Sequence, residues 1–417
     1  MSQSKNREPS SIKGTRDILP AESRKWQRAE REAKRIFELY GYKEIRTPVF
    51  ESTELFKKST GETSDVVIKE MYTFTDKGGR SLTLRPEYTP SVVRSIIENR
   101  LYLKSDLMRF YFIGPMFRYD KPQKGRYRQF HQADIEVFGE KDPGVDAEIV
   151  EMAFTLLKNL GIRGIKILIN SVGCRKCRPA YHKKLRAAAG EQRARLCEDC
   201  QRKIDTNPLR IFDCKKDNCR NAALGFPRIT EFLCAECQSH FEKFCRLLDF
   251  YGLKYTVDPQ LVRGLDYYTK TTFEITCSQL GAQDAILGGG RYDEMMKDFG
   301  GPDICGIGFA MGMERLLSVM PDKEEPERFL YIVHMGEDAK KVSMKLAQYF
   351  REKGVECVLE YKDRKLKKQM SRSDKLKAAW TLVVGEEEIK KKKYQLKDMK
   401  TGDQKEVTKE EALKGMI

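Results

Sequence analysis

The sequence predicts an α+β protein that carries a cysteine-rich insertion and ends in a small α/β domain. Two β-rich runs within residues 109–139 form a long hairpin around the turn-prone stretch 121–125. The segment 171–244 is rich in cysteine, arginine and lysine but poor in strand pattern, which indicates an insertion. After a polar linker bounded by prolines at 321–326, strand and helix patterns alternate, as they do in α/β domains.

Length, charge and cysteine content narrow the class of protein. The 417 residues allow two or three domains, which we place at 1–170 with 245–322, at 171–244 and at 328–417. The net charge of +16 favours a polyanionic partner, nucleic acid before membrane; a basic protein without such a partner is the alternative. The N-terminus has no apolar segment and no run of about 18 apolar residues occurs, so we expect a cytoplasmic protein without a membrane span. Its 12 cysteines then predict thiols and metal rather than disulfides.

Hydrophobic spacing predicts the elements of the first domain. Trp26, Ala29 and Ala33 recur at helical spacing, and Gly41 is suited to end that helix. Pro48 cannot donate to a β-ladder, so we expect the strand before it to end or bend there, near an interface. A glycine-rich stretch, 288–293, precedes a later helix. We expect helices at 22–40, 89–99, 146–160 and 313–320, and strands at 42–50, 71–74, 81–85, 165–170, 253–257, 271–277, 285–287 and 304–311.

The central hairpin carries a polar row on one side. Residues of one parity on a strand project to the same face, which groups the first strand's Arg118 and Asp120 on one side. On the second strand the same rule groups Arg126, Arg128, Gln132, Asp134 and Glu136. Because unpaired charges are costly to bury, such a row faces either solvent or a polar ligand.

Eight of the cysteines form four pairs within the insertion: Cys174/Cys177, Cys197/Cys200, Cys214/Cys219 and Cys234/Cys237. Two-residue gaps let adjacent thiolates bind one tetrahedral Zn²⁺, and two pairs complete a closed structural site. We therefore expect one or two zinc ions, with the pairing open. Free buried cysteines or redox-active pairs are the alternatives, and His182 and His240 are candidate substitute ligands.

Four arginines in apolar or glycine-rich settings predict an anion site. Arg118, Arg126, Arg263 and Arg315 are suited to converge on one phosphate or carboxylate, which a guanidinium group binds through two hydrogen bonds. Such a cluster fits phosphoryl or nucleotidyl transfer, in which positioning and charge neutralisation supply most of the catalysis.

Three motifs resemble those of bacterial-type histidyl-tRNA synthetases, which are class II aminoacyl-tRNA synthetases. The run from Gly114-Pro-Met-Phe-Arg118 to Glu136 is similar to the second class II motif, and Gly308–Arg315 is similar to the third. Arg263–Thr269 together with Gly288–Asp293 resembles a pair peculiar to the histidine enzymes. The resemblance implies an antiparallel catalytic sheet, a C-terminal anticodon-binding domain, a homodimer, and histidine, ATP and histidine tRNA as ligands.

The resemblance also implies roles for individual residues. Arg118 would bind the ATP α-phosphate and the histidine carboxylate, and Arg263 would neutralise charge between them. Asp120, Arg126 and Arg315 would bind ATP, with Mg²⁺ on the triphosphate, and Gln123 would read the extra 5′ guanine of histidine tRNA. The histidine pocket would comprise Glu87, Thr89, Gln132, Glu136, Tyr267 and Tyr268.

Three positions depart from the family pattern. Asp120 stands where many members have glutamate. Tyr88 replaces a small residue found in many members, which would narrow the mouth of the amino-acid pocket. Lys270 stands where some members have glycine.

The last domain is basic. The segment from Lys362 to Lys377 contains eight lysines or arginines and only two aspartates. This excess of positive charge predicts phosphate contacts or, alternatively, a solvated helix face. We expect strands at 329–334, 357–360 and 381–384 and helices at 338–353 and 365–378.

Two other functions compete with that of a synthetase. One is a catalytically silent paralogue that serves as regulatory subunit of ATP phosphoribosyltransferase, although that paralogue typically lacks the anticodon-binding domain and the arginine set. The other is a zinc-ribbon protein that binds nucleic acid, which leaves the central hairpin unexplained.

Overall fold

The chain divides into two compact units, Met1–Pro321 and Asp322–Ile417. The computed structural model describes residues 9–60, 69–121, 125–281, 284–323 and 328–416. The division falls at the start of the predicted proline-bounded linker. Within the ranges just given, no helix combines the length and apolar character needed to cross a bilayer.

The first unit combines strands and helices in a mixed order. Its strands are β1 (Lys43–Glu44), β2 (Phe50–Ser52), β3 (Tyr72–Thr75), β4 (Ser81–Leu84), β5 (Met108–Phe117), β6 (Gln129–Phe138), β7 (Ile165–Ser171), β8 (Tyr255–Val257), β9 (Thr269–Cys277), β10 (Ala285–Arg291) and β11 (Gly306–Gly312). Its α-helices are α1 (Pro20–Leu39), α2 (Thr53–Thr60), α3 (Thr89–Glu98), α4 (Pro143–Asn159), α5 (Arg178–Glu191), α6 (Glu198–Thr206), α7 (Asp217–Ala223), α8 (Ala235–Phe250), α9 (Met295–Asp298) and α10 (Met313–Val319).

A large antiparallel sheet forms the centre of this unit, as predicted. Among the described residues its strand order is β1-β5-β6-β11-β10-β9-β7-β8, and only the two edge pairs, β1/β5 and β7/β8, are parallel. The central hairpin β5–β6 pairs over its full length, from Met108 opposite Phe138 to Phe117 opposite Gln129.

The two faces of the sheet differ in chemistry because side chains alternate along each strand. On one face Ile135 and Val137 are buried in the main core together with Phe37 of α1 and Ile149 of α4. The other face presents the even-numbered residues of β6, and helix α3 covers part of it in a smaller core that includes Phe112. The predicted polar row therefore lies on the face opposite the main core.

Two predicted strands of this unit differ in extent from those of the structure, although the predicted break at Pro48 is present. The extended run 42–50 is divided between two sheets: β1 pairs with β5, whereas β2 joins the separate antiparallel sheet β2-β4-β3, with Pro48 between them. The strand predicted at 285–287 continues through the glycines to Arg291, so the glycine-rich stretch forms the second half of β10 before helix α9. Glycines without side chains allow close approach from both faces of the sheet, which explains their use in an interior strand.

The cysteine-rich segment folds as helices around its own small core. Tyr181, Leu185 and Ile204 are buried there with Cys200 and Cys219. The last pair of cysteines lies at the start of α8, whose Phe241 and Phe244 belong to the main core instead. Helix α8 therefore runs through the predicted boundary at residue 245.

The second unit is an α/β domain with its own core around Leu330 and Ile332. Its strands are β12 (Leu330–His334), β13 (Cys357–Leu359), β14 (Trp380–Val384), β15 (Tyr394–Asp398) and β16 (Gln404–Val407), in the order β13-β12-β14-β15-β16. Its helices are α11 (Glu337–Glu352), α12 (Leu366–Lys375), α13 (Glu386–Lys391) and α14 (Lys409–Met416). Strand β12 is parallel to β13 and β14, whereas β15 and β16, which the sequence analysis did not predict, are antiparallel.

Candidate active site and metal centres

A cavity of about 390 Å³ lies on the polar face of the large sheet. It brings together residues from β6, β10, β11, α3 and α10, from the segment after β5 and from the loop before β9. The predicted site residues that line it are Glu87, Thr89, Arg118, Asp120, Arg126, Gln132, Arg263, Tyr267, Tyr268 and Arg315. Glu136 lies directly behind this lining, and Gln123 is outside the described residues.

Arg118 follows the last residue of β5 and is held by two contacts. Its Nε donates to the carbonyl oxygen of Pro86 at 2.8 Å, and its guanidinium group lies 5.4 Å from the centre of the Phe130 ring. These contacts fix the plane of the guanidinium group at the cavity wall, where it is available to an anion.

Arg126 and Arg315 lie at a second part of the wall. The carboxylate of Asp120 forms an ion pair with Arg126, so the structure places Asp120 as the partner of an arginine. Nη1 of Arg315 donates to the carbonyl oxygen of Ala285 at 3.0 Å. Burial, and then the positive charge of Arg126, lower the pKa of Arg315. Like charges in a partly buried site raise the energy of the empty cavity, and a polyanion would relieve that repulsion.

Arg263 is positioned by an acidic residue and a glycine. Its Nη1 lies 2.5 Å from Oε2 of Glu274 on β9. Glu274 pairs in register with Gly288 of β10, and a Cβ atom at position 288 would lie 2.3 Å from the Arg263 guanidinium carbon. The absence of a side chain at Gly288 thus makes room for the arginine, which explains why the glycine-rich stretch accompanies the Arg263 motif.

Glu87 and the tyrosines form another wall of the cavity. The Tyr267 hydroxyl donates to Oε2 of Glu87 at 2.9 Å, and the rings of Tyr267 and Tyr268 lie 4.7 Å apart. Burial raises the pKa of Glu87 to about 7, in spite of the nearby positive charge of Arg118. A buried carboxyl group with such a pKa is suited to pair with a cationic ligand, which would favour its ionised form.

Glu136 is enclosed behind the cavity. It accepts a hydrogen bond from the Thr89 hydroxyl at 2.5 Å and another from the Tyr292 hydroxyl. A Cβ atom at Gly308 would lie 2.3 Å from Oε2 of Glu136. Burial raises the pKa of Glu136 well above its usual range, and the same is true of Asp134 two residues before it.

Several residues of this site were missed from the sequence. Glu274, Tyr292 and Gly308 contact predicted site residues, and Glu314 accepts the backbone N–H of His131 at 3.0 Å. Glu274 had a detectable signal, because a carboxylate in a strand of otherwise buried pattern needs a partner. The other three lie within the motifs Gly288–Asp293 and Gly308–Arg315, but their contacts with Glu136 and His131 depend on long-range packing.

Two expectations about the polar row and its surroundings were wrong. Arg128 does not point into the cavity: its guanidinium group lies 3.9 Å from the centre of the Tyr119 ring and donates to the carbonyl oxygen of Lys13 at 3.3 Å. Tyr88 lines the cavity, but its side chain does not lie across the mouth: it is buried, stacks on Phe112 at 3.7 Å and donates to the Ile45 carbonyl oxygen at 2.7 Å.

The cysteines form two groups of four. Cys174 and Cys177 meet Cys234 and Cys237, and the remaining four, Cys197, Cys200, Cys214 and Cys219, form the second group. Within each group the sulfur atoms lie within 4.8 Å of one another. The Sγ atom of Cys174 lies 3.7 Å from that of Cys177 and 3.9 Å from that of Cys234, and those of Cys197 and Cys214 are 3.9 Å apart. A tetrahedral Zn²⁺ with bonds of about 2.3 Å requires sulfur atoms about 3.8 Å apart. Both groups therefore fit a closed, four-thiolate metal centre.

The two candidate histidine ligands lie outside these groups. His240 instead lies in a buried network, with Nε2 2.6 Å from Oδ2 of Asp146. Asp146 also accepts a hydrogen bond from Thr271 at 2.7 Å and forms an ion pair of 2.7 Å with Arg291, which is fully buried. The arginine of the Gly288–Asp293 motif thus connects the catalytic sheet to α4 rather than binding in the cavity.

Comparison with known proteins identifies the family. The family model described as "Histidyl-tRNA synthetase" matches residues 14–210 and 214–316, and the "Anticodon binding domain" model matches residues 330–417. The chain belongs to the histidyl-tRNA synthetase family. It is 47% identical to the histidine–tRNA ligase of Halothermothrix orenii, covering 95% of this chain and 96% of that one. It is 46% identical to that of Natranaerobius thermophilus, with 95% of both chains covered.

A solved structure agrees with the sequence relatives. The apo histidyl-tRNA synthetase of S. aureus covers 98% of this chain and all of its own, with a TM-score of 0.82 and 38% identity. Full-length similarity to histidine–tRNA ligases, together with a matched anticodon-binding domain, supports the tRNA-charging activity of this family member and not the regulatory paralogue. The chain is an aminoacyl-tRNA ligase, as its motifs predicted.

Proposed function

We propose that the cavity catalyses both steps of tRNA charging. A carboxylate oxygen of histidine attacks the α-phosphorus of ATP, and the bond to pyrophosphate breaks. The 3′-terminal adenosine of histidine tRNA then takes the histidyl group through its hydroxyl, and AMP leaves. The observation that carries this proposal is the convergence of four arginines, Arg118, Arg126, Arg263 and Arg315, on one cavity that also contains a buried carboxyl group.

The arginines divide the work by position. Arg118 and Arg263 bind the histidine carboxylate and the α-phosphate, two groups of like charge that must approach each other in line. Fixed guanidinium groups lower the cost of that approach because they are already oriented by Pro86, Glu274 and Gly288. Arg126, held by Asp120, binds the outer phosphates with Arg315, and Mg²⁺ arrives as part of the ATP complex.

The histidine pocket uses the acidic wall. Glu87 binds the α-ammonium group, while Gln132, Tyr267 and Tyr268 surround the side chain. Thr89 orients Glu136 toward the imidazole. Because the pKa of each carboxyl group is raised, each binds a cationic group of the ligand only after it releases its own proton. An amino acid with a neutral side chain of the same size as histidine is therefore a poor substitute.

Recognition of tRNA uses three parts of the chain. We assign 1–170 with 245–322 to catalysis, 171–244 to a zinc-binding insertion and 328–417 to anticodon binding. In the last, α12 exposes Lys367 and Lys368, which suits phosphate contact. Gln123, in the loop of the central hairpin, reads the extra 5′ guanine.

Each cysteine group binds one structural Zn²⁺. Thiolate ligands alone close the site, so the metal stabilises the fold of the insertion and takes no part in the reaction. Metal analysis of purified protein should find two zinc ions per chain. Cys219→Ser should leave one, whereas Cys245→Ser, outside both groups, should leave two; a single ion in the parent protein would contradict the assignment.

The protein functions as a cytoplasmic homodimer. The face of the β2-β4-β3 sheet near Pro48 supports this, because Phe50 and Phe74 are 51% and 44% exposed and their rings lie 6.4 Å apart. Exposed aromatic pairs of this kind are typical of protein interfaces.

Histidine-dependent exchange of pyrophosphate into ATP tests the proposal. The folded, metal-loaded protein should catalyse exchange with histidine and not with other amino acids. Arg263→Ala should abolish exchange while leaving tRNA binding intact. Absence of exchange from the parent protein would overturn the proposed function.

A further inference from the structure

The loop that carries Arg263 has little secondary structure of its own. Residues 262–268 contain bends and turns between β8 and β9, yet they contribute Arg263, Tyr267 and Tyr268 to the lining of the catalytic cavity. A loop without ladder hydrogen bonds keeps a fixed geometry only if side chains from elsewhere hold it.

The second metal group supplies one such contact. Arg210 lies in the segment between two of its ligands, Cys200 and Cys214. The guanidinium group of Arg210 is bound to Asp266, in the middle of the loop, with Nε and Nη2 2.9 and 2.8 Å from Oδ1. Only 15% of the Arg210 side chain is exposed, so this ion pair is shielded from solvent on the arginine side.

Two neighbours strengthen this contact. The Asn207 side chain donates to the same Oδ1 of Asp266 at 2.9 Å. Asp213, directly before Cys214, lies 3.3 Å from Nη1 of Arg210 and so fixes its other end. The segment between Cys200 and Cys214 is therefore bound to the loop at Asp266 through a connected set of hydrogen bonds.

The first metal group supplies the other contact. Arg178 directly follows the ligand Cys177, and its Nη2 donates to the backbone carbonyl oxygen of Tyr268. Its Nε donates to the carbonyl oxygen of Val172 at 3.2 Å. Lys270 connects the same metal group to the catalytic domain, because its Nζ lies 3.1 Å from Oε1 of Glu236, which lies between the ligands Cys234 and Cys237. Lys270 has a φ of 48°, a conformation that favours glycine.

We propose that the two metal groups of the insertion position the loop 262–268, through Arg210 at Asp266 and Arg178 at Tyr268. Metal loading of the insertion then sets the geometry of adenylation, although neither metal touches a substrate. Arg178 and Arg210 are positioning residues in this scheme, and Arg210 also lines the cavity. The inference rests on the proposed function for its kinetic consequence, but the mechanical link can be measured without it.

Steady-state exchange kinetics test the kinetic consequence. Arg210→Ala and Arg178→Ala should each lower kcat about tenfold or more and raise the KM for histidine, because small displacements of a reacting group are costly. The KM for ATP should not change in Arg178→Ala, since Arg178 does not line the cavity and Arg126 and Arg315 lie on other elements. Arg210→Lys should not restore the rate, because an ammonium group lacks the forked geometry. The exposed Arg202, paired with Asp199 in the same insertion, provides the matched control as Arg202→Ala.

Hydrogen exchange tests the link itself. Removal of metal with a chelator, and separately Arg210→Ala, should speed amide exchange in residues 262–268 while the neighbouring strand β9 stays protected. If amide hydrogen exchange in the loop were unchanged after verified metal loss, the inference would be overturned. The same would follow if kcat and the KM for histidine were unchanged in both arginine variants. If the parent protein lacked exchange activity, the proposed function would fail, yet the amide measurement would still decide whether the metal groups hold the loop.

Discussion

The guanidinium group of Arg263 occupies the space that a side chain at Gly288 would fill. A Cβ atom there would lie 2.3 Å from its Cζ and from both Nη atoms. The blocking atoms are the end of a flexible side chain rather than backbone, so an added methyl group would displace the arginine and leave the sheet intact. Two motifs separated in sequence are thus one structural unit.

Gly288→Ala should therefore separate activity from folding. We expect histidine-dependent exchange to fall about 100-fold, because a displacement of about 1 Å in a reacting group has that effect. The unfolding midpoint should change little. Gly190→Ala, in the exposed part of α5 with open space around it, is the matched control and should retain activity. Full activity in Gly288→Ala would show that Arg263 works from another position.

Glu87→Gln should stabilise the free protein at high pH while impairing histidine binding. The pKa of Glu87 is raised from 4.5 to about 7, so the folded protein keeps a proton that the unfolded chain releases. The contribution of the Glu87 proton to the free energy of unfolding is fully present below a pH of about 4.5 and is lost as the pH rises through about 7. The difference between the folded and unfolded pKa values corresponds to about 3 kcal/mol.

Urea unfolding at pH 5 and pH 8 measures this effect, and calorimetry measures histidine affinity. The variant should exceed the parent in stability at pH 8 and bind histidine more weakly. Glu54→Gln, exposed on α2 and paired with Lys57 at the surface, should change neither property. Equal stability of Glu87→Gln and the parent at pH 8 would contradict the assigned pKa.

The sequence was sufficient to predict which residues make up the site but not which of them contact one another. Parity along β6 placed Gln132, Asp134 and Glu136 on one face because alternation is a local property of a strand. The same rule failed for Arg128, which lies just before β6 begins and is drawn toward Tyr119. Likewise, CxxC spacing predicted metal binding, but how the four pairs combine depended on helix packing that spans the whole insertion.

Long-range pairing also decided which motif residues bind ligand. Arg263 and Arg291 each lie in a motif that also contains glycine, aspartate and tyrosine. Register places Arg291 on the face that packs against α4, where it meets Asp146, whereas Arg263 reaches the cavity. No periodicity within either motif distinguishes these outcomes.

Asp146→Asn should destabilise the catalytic unit strongly. It would leave the fully buried charge of Arg291 with only the longer contact of 3.4 Å to Asp293, and would also weaken the hydrogen bonds from His240 and Thr271. Loss of one partner of a buried ion pair typically costs about 3–5 kcal/mol. Denaturant unfolding should show this loss, while Glu98→Gln, which breaks the exposed pair with Arg94, should cost less than about 1 kcal/mol. A small effect of Asp146→Asn would mean that water or another group replaces the carboxylate.

Lysines on α12 should contribute affinity for tRNA that depends on salt. Gln369 and Ser373 are buried on the inner side of this helix, which leaves Lys367 and Lys368 exposed. If both contact phosphates, replacing them with alanine should reduce the slope of log K against log salt concentration by about 1.5, because each contact releases condensed counterions. Filter binding of histidine tRNA over a range of KCl concentrations measures that slope. The matched control replaces Lys340 and Lys341 on α11, which are paired with carboxylates, and should leave it unchanged. An unchanged slope in the α12 variant would show that this helix face is solvated and that other residues of the domain contact the phosphates.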